Sequence, residues 1–134
     1  MVHTIETAHS SVRVAAYSFA SKPIALALLE AHNRGIDVRV VVDKSNATAR
    51  YTAATFLANQ AVPVRVDYEY AIMHDKFIVV DGETVEEASF NYTAAAESKN
   101  AENVLVLRDP AVAQRYGQEW ERFWGESEEI KTRY

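Results

Sequence analysis

Polar and apolar positions alternate from Ser11 to Phe19, in a stretch rich in Val and Tyr, which predicts a β-strand. Ser21 then suits a helix cap, with Pro23 in the first turn. Ile24, Leu26, Leu28 and Leu29 give that helix a broad apolar side, and Gly35 fits the left-handed residue that ends it. Asp37–Asp43 (DVRVVVD) is a second strand, with an apolar run suited to burial on both faces. A helix is expected from Ser45 or Asn46 to about Asn59, and a third strand from Pro63 to Tyr68. Met73–Asp81 and Thr84–Phe90 read as two strands of a hairpin around Asp81-Gly82. Asn91–Lys99 is a polar loop or short helix, and Val104–Leu107 a sixth strand. Asp109-Pro110 starts a last helix running to about Trp124, before a charged tail, Gly125–Tyr134. Met1–Ser10 reads as a short helix, with Val2, Ile5 and Ala8 on one face and almost nothing before it. The order predicts an α/β domain: a mixed β-sheet flanked by helices.

Composition narrows the picture. At 134 residues, 49% apolar and 25% charged, the chain has the balance of a soluble globular protein and room for a single domain, 1–134. It has no cysteine, which excludes disulfides, zinc fingers and cysteine nucleophiles. No apolar run approaches the roughly 20 residues that span a bilayer. Against 14 Lys and Arg stand 19 Asp and Glu, a formal charge of −5. A domain holding a polyanion through its overall field would be basic, so such a partner would need local chemistry here.

That chemistry is offered by one segment. His74 and Lys76 share a side of a predicted strand, and Ser89 and Asn91 form a second i, i+2 pair on the next. A hairpin can set the pairs side by side, gathering an imidazole, an ammonium, a hydroxyl and an amide. Lys76, Ser89 and Asn91 could donate to phosphoryl oxygens as charge develops there. His74 could attack phosphorus or pass a proton. No carboxylate cluster accompanies them, so neither a metal nor another cofactor is implied. A His-x-Lys pair alone would be ordinary on an edge strand, where charges discourage aggregation. His3, His9 and His32 lack any comparable setting. Trp120 and Trp124 suit a core better than a stacking platform, whereas Tyr68 and Tyr70 are candidates for stacking on a base.

The full spacing is more specific: His-x-Lys, four residues, Asp81, then six residues to Ala88-Ser89-x-Asn91. It resembles the phospholipase D superfamily, and in particular the small bacterial endonucleases of the Nuc type. The AYSF, RGIDVRVVVD, SFNYT and KNAENVLVL segments extend the likeness over most of the chain. The resemblance implies that His74 is a nucleophile forming a phosphohistidine. Lys76 and Asn91 would bind phosphate and Ser89 would support that site. Glu102 would hydrogen-bond the far nitrogen of His74, fixing its tautomer. Asp81 completes the motif in a structural role. A second histidine must act as general acid, and this chain carries one motif, so a homodimer joining two copies of His74 is implied. The substrate would be DNA, and RNA as well, cleaved without metal and with little sequence preference. Such relatives are exported with a signal peptide, of which this chain shows none.

Three departures matter. The family's glycine before the serine is Ala88, which crowds the backbone there. Glu87, i−2 from Ser89, is expected on the side of Ser89 and Asn91, where a carboxylate would repel phosphate and perturb His74. An extra first strand usual in the family is missing, which would leave a sheet edge exposed or covered by a partner. Two other functions compete: a lipid phosphodiesterase, for which no basic amphipathic helix or anchor is visible, and a binding domain whose site Glu87 and Ala88 have spoiled. The acidity falls in two blocks of net −4 each, residues 81–87 and 117–129. The first adjoins the motif strands.

Overall fold

A computed structural model describes residues 2–16, 19, 21–44, 53–68, 77–88 and 104–129. The elements run α1 (Val2–Glu6), β1 (Ser11–Ala16), α2 (Lys22–Asn33), β2 (Asp37–Asp43), α3 (Ala53–Asn59), β3 (Val64–Asp67), β4 (Phe77–Val80), β5 (Thr84–Ala88), β6 (Val104–Arg108), α4 (Pro110–Glu126) and β7 (Glu128–Glu129). The expected α/β architecture is present, a mixed sheet with helices on both faces.

Among the described residues, seven strands form one sheet in the order β6-β5-β4-β1-β2-β3-β7. β1, β2 and β3 are parallel, joined by the crossovers that contain α2 and α3. β4, β5 and β6 continue antiparallel from β1. The tail is where the reading falls short: the last helix runs to Glu126, and Glu128 and Glu129 then pair with Val66 and Arg65 as a seventh strand. A charged dipeptide gives no alternation to read. Its pairing comes from where α4 delivers the chain, beside the open edge of β3.

Local signals account for the boundaries. The Ser21 hydroxyl accepts from Ile24 N at 3.4 Å, and Pro23 sits in the first turn of α2. The helix closes with paired bonds, Gly35 N to His32 O and Ile36 N to Ala31 O, around Gly35 at φ 91°. The Asp109 carboxylate accepts from Ala111 N at 3.0 Å and Val112 N at 3.3 Å, capping α4 ahead of Pro110. Of the helix expected from Ser45 or Asn46, Ala53–Asn59 is described, and residues 45–52 lie outside the described residues.

Alternation along the strands builds two different faces. Val12, Val14, Val38, Val40, Val42, Val64, Val66, Ile78 and Val80 pack against α1, α2 and α3 through Ile5, Ile24, Leu28 and Leu57. The other face presents Ala15, Val41, Phe77, Val79 and Val85 to Ala113, Trp120 and Phe123 of α4. It also carries Arg13, Arg39 and Arg65 on three neighbouring strands. Trp120 and Trp124 stack at 5.1 Å between ring centroids, with Arg13 over the first and Arg39 and Arg65 over the second. Both tryptophans therefore serve packing, as expected. β6 forms one edge of the described sheet, and Leu105 and Val106, on opposite faces of it, are exposed.

Candidate active site

Three adjacent strands end together. Phe77 begins β4, Ala88 ends β5 and Val104 begins β6, and the registers Phe77↔Glu87 and Ala88↔Val104 place these termini side by side. Lys76 and His74 precede Phe77 by one and three residues; Ser89 and Asn91 follow Ala88 by one and three; Glu102 precedes Val104 by two. All five lie outside the described residues. The strand termini that adjoin these segments therefore lie at one end of the sheet. This is also the end where β1, β2 and β3 finish, the usual place for ligands in sheets with parallel strands.

The described register fixes the face that Glu87 takes. Phe77 and Glu87 are cross-strand partners, and both face α4.

Glu87 accepts a hydrogen bond from the Tyr116 hydroxyl at 2.7 Å. The Tyr116 ring meets Phe77 edge-on, with centroids 5.0 Å apart and planes at 77°. The charge expected to disturb the site is thus held toward α4. The rest of the first acidic block is similarly engaged. Glu86 is buried on the opposite face, where it accepts from the Thr4 hydroxyl of α1. Asp81 lies at the far end of β4 from the motif. Its carboxylate accepts from the backbone N–H groups of Ser10 at 2.7 Å, and of His9 and Ser11 at 3.0 Å, and from the Ser10 hydroxyl. Partial burial works against its ionisation, but the N–H groups of Ser10, Ser11 and His9 and the Ser10 hydroxyl outweigh it. They hold its pKa below the ordinary aspartate value. Asp81 also takes positive φ, 56°, ahead of Gly82 at 67°, so one residue shapes the turn and ties it to the entry of β1. Of this block, only the Glu83 carboxylate has no partner among the described residues; its backbone N–H bonds Val80 O.

Two carboxylates at the motif end were missed. Asp43 and Asp67 close β2 and β3 as register partners, at 1% and 0% exposure. Each ends an apolar run, which reads as the polar boundary of a strand; nothing local shows that both are buried side by side. Tyr68, next in the chain, is exposed as a stacking residue would be, and Tyr70 lies outside the described residues.

Comparison with known proteins decides the family. A family model described as "Cardiolipin synthase, PLD-like domain" matches residues 1–124. The chain belongs to the phospholipase D superfamily. This is a family of phosphodiesterases. The chain is 39% identical to Nuc from Salmonella typhimurium, a phospholipase D family member of known structure. The match covers 98% of this chain and 88% of that one, with a TM-score of 0.91. It is 37% identical over 116 residues to a phospholipase D of Rickettsia bellii, covering 87% of this chain and 58% of the relative. It is also 37% identical over 119 residues to a mitochondrial cardiolipin hydrolase of Xenopus tropicalis, covering 89% and 57%. The chain spans about three fifths of the length of these two curated relatives. Within the superfamily domain, no helix among the described residues is long and apolar enough to cross a membrane.

Proposed function

We propose that this chain is a phosphodiesterase that cleaves nucleic acid, DNA and also RNA, with little sequence preference and without a metal. The observation that carries this reading is the spacing His74-x-Lys76, Asp81, Ser89-x-Asn91 within a chain that is similar to Nuc over almost its whole length. An imidazole nitrogen of His74 attacks phosphorus and forms a P–N bond as the bond to the leaving oxygen breaks. A second histidine protonates that oxygen. Water then attacks the phosphohistidine, returning the nitrogen and releasing the phosphomonoester. Lys76, Ser89 and Asn91 neutralise the equatorial oxygens through both steps. Glu102 holds the far nitrogen of His74 protonated, which directs the other at phosphorus. With one His-x-Lys motif in the chain, the second histidine is supplied by a second copy in a homodimer.

A lipid diester is the second reading, favoured by relatives named phospholipase D and mitochondrial cardiolipin hydrolase. The diester chemistry is shared, so substrate access separates the two. The test uses plasmid DNA and cardiolipin vesicles in parallel, both with EDTA, comparing the chain with His74→Ala. The expected outcome is plasmid nicking that His74→Ala abolishes, with loss of at least about 10³-fold in rate, and no lipid hydrolysis. Hydrolysis of vesicles alone would select the lipid reading. EDTA-resistant nicking that survives His74→Ala would remove His74 from the mechanism.

A further inference from the structure

The feature that the proposed chemistry leaves unused is the contact between α4 and the two motif strands. Tyr116 touches both strands one residue short of the motif. Its ring lies edge-on to Phe77, whose chain predecessor is Lys76. Its hydroxyl binds Glu87, two residues before Ser89. Phe77 and Glu87 are cross-strand partners, so one tyrosine fixes a matched rung of the hairpin.

The charge of Glu87 gives this contact a consequence. An anionic substrate at the motif end is repelled by a carboxylate nearby, the more so at low salt. A hydrogen bond from a phenol ties that carboxylate to α4 and shares its charge. Glu87 is exposed, and among the described residues its side chain is held by the Tyr116 hydroxyl. We propose that Tyr116 is a positioning residue for the phosphodiester site: it latches Glu87 against α4 and keeps the carboxylate off the incoming phosphate. This rests on the nucleic-acid reading above.

The test is a double-mutant cycle read by binding, so that turnover is not required. Dissociation constants for a fluorescein-labelled single-stranded oligonucleotide are measured by anisotropy for the unaltered chain, Tyr116→Phe, Glu87→Gln and the double variant. Tyr116→Phe keeps the ring on Phe77 and removes only the hydroxyl. It is expected to weaken binding about fivefold at low ionic strength, and much less near ~0.5 M salt. In the Glu87→Gln background the same change is expected to have no effect, because the charge being restrained is gone. Equal weakening in both backgrounds, or no weakening in either, overturns the latch. A shift in thermal midpoint without a shift in binding shows a purely structural contact and also overturns it. Absence of oligonucleotide binding by the unaltered chain overturns it together with the nucleic-acid reading. Loss of coupling while His74-dependent nicking persists sinks the latch alone; coupling with no nicking sinks the catalytic reading alone.

Discussion

The two faces of the sheet solve the same burial problem in opposite ways. One is mainly aliphatic, with Phe19 and the buried Glu86 as exceptions, and is covered by α1, α2 and α3. The other carries three arginines on neighbouring strands, Arg13 and Arg39 in register and Arg65 opposite Val41, and is covered by a single helix of 17 residues. Guanidinium groups cannot simply be buried there. Arg13 donates to the Asp37 carbonyl at 2.6 Å and to its carboxylate at 2.8 Å, Arg39 donates to the same carboxylate at 3.2 Å, and Arg65 donates to Trp124 O at 2.9 Å. The flat faces of Trp120 and Trp124 cover the cations while their edges fill the core. The aliphatic face distributes its stability over many contacts. The α4 face concentrates it in a few, and it is the face whose helix reaches Glu87.

The comparison can be broken most directly at Trp120. Trp120→Ala is expected to cost about 5 kcal/mol in urea unfolding, whereas Leu57→Ala, equally buried on the aliphatic face, is expected to cost about 3 kcal/mol. Equal costs would show that the α4 face is no more concentrated than the other. Arg65 sharpens the point at smaller scale. Arg65→Leu removes the stacked guanidinium and its bond to Trp124 O, at about 1–2 kcal/mol, and Arg65→Lys recovers less than half of that. Full recovery by lysine would mean that charge alone matters and that the planar stack contributes nothing.

The smallest effect comes from the carboxylates. For Asp37, burial opposes ionisation, but the hydrogen bonds and charges of Arg13 and Arg39 prevail, and its pKa is lowered. Asp81 is lowered likewise. A depressed carboxylate pKa contributes stability that is complete above the unfolded value of about 3.9 and is lost as pH falls through the lower folded value. Unfolding midpoints are therefore expected to drop below about pH 4. Asp81→Asn should flatten that acid limb while lowering stability near neutrality by about 1 kcal/mol, since an amide oxygen accepts the three N–H groups less strongly. An unchanged acid limb in that variant would remove Asp81 from the linkage.

Much of the architecture was legible because its signals are local. Ser21 with Pro23, Gly35, Asp81-Gly82 and Asp109-Pro110 each specify a boundary within a few residues, and each boundary is where those residues place it. DVRVVVD is a strand at its stated limits, buried along almost all its length. The motif's spacing carried the family by the same kind of short-range pattern. Its geometry was less legible. Alternation put Glu87 with Ser89, but nothing in the chain near Glu87 announces Tyr116, 29 residues further on, as its partner.

The acidity that made a polyanion partner puzzling divides along the same line. Sequence alone determined that the chain is acidic, that the acids lie in two blocks, and that one block adjoins the motif. Only tertiary structure decided what those acids do: Asp81 gathers backbone donors from the start of β1, Glu86 sits buried against Thr4, and Glu87 is held by α4. Sequence likewise supplied the arginines and tryptophans as separate residues, and the strand order brought them into one stack and set Asp43 beside Asp67. The physical reason is range. Caps, turns and alternation act over a few residues and are written where they act, whereas a charge takes its meaning from neighbours that only the sheet's strand order and the path of α4 bring within reach.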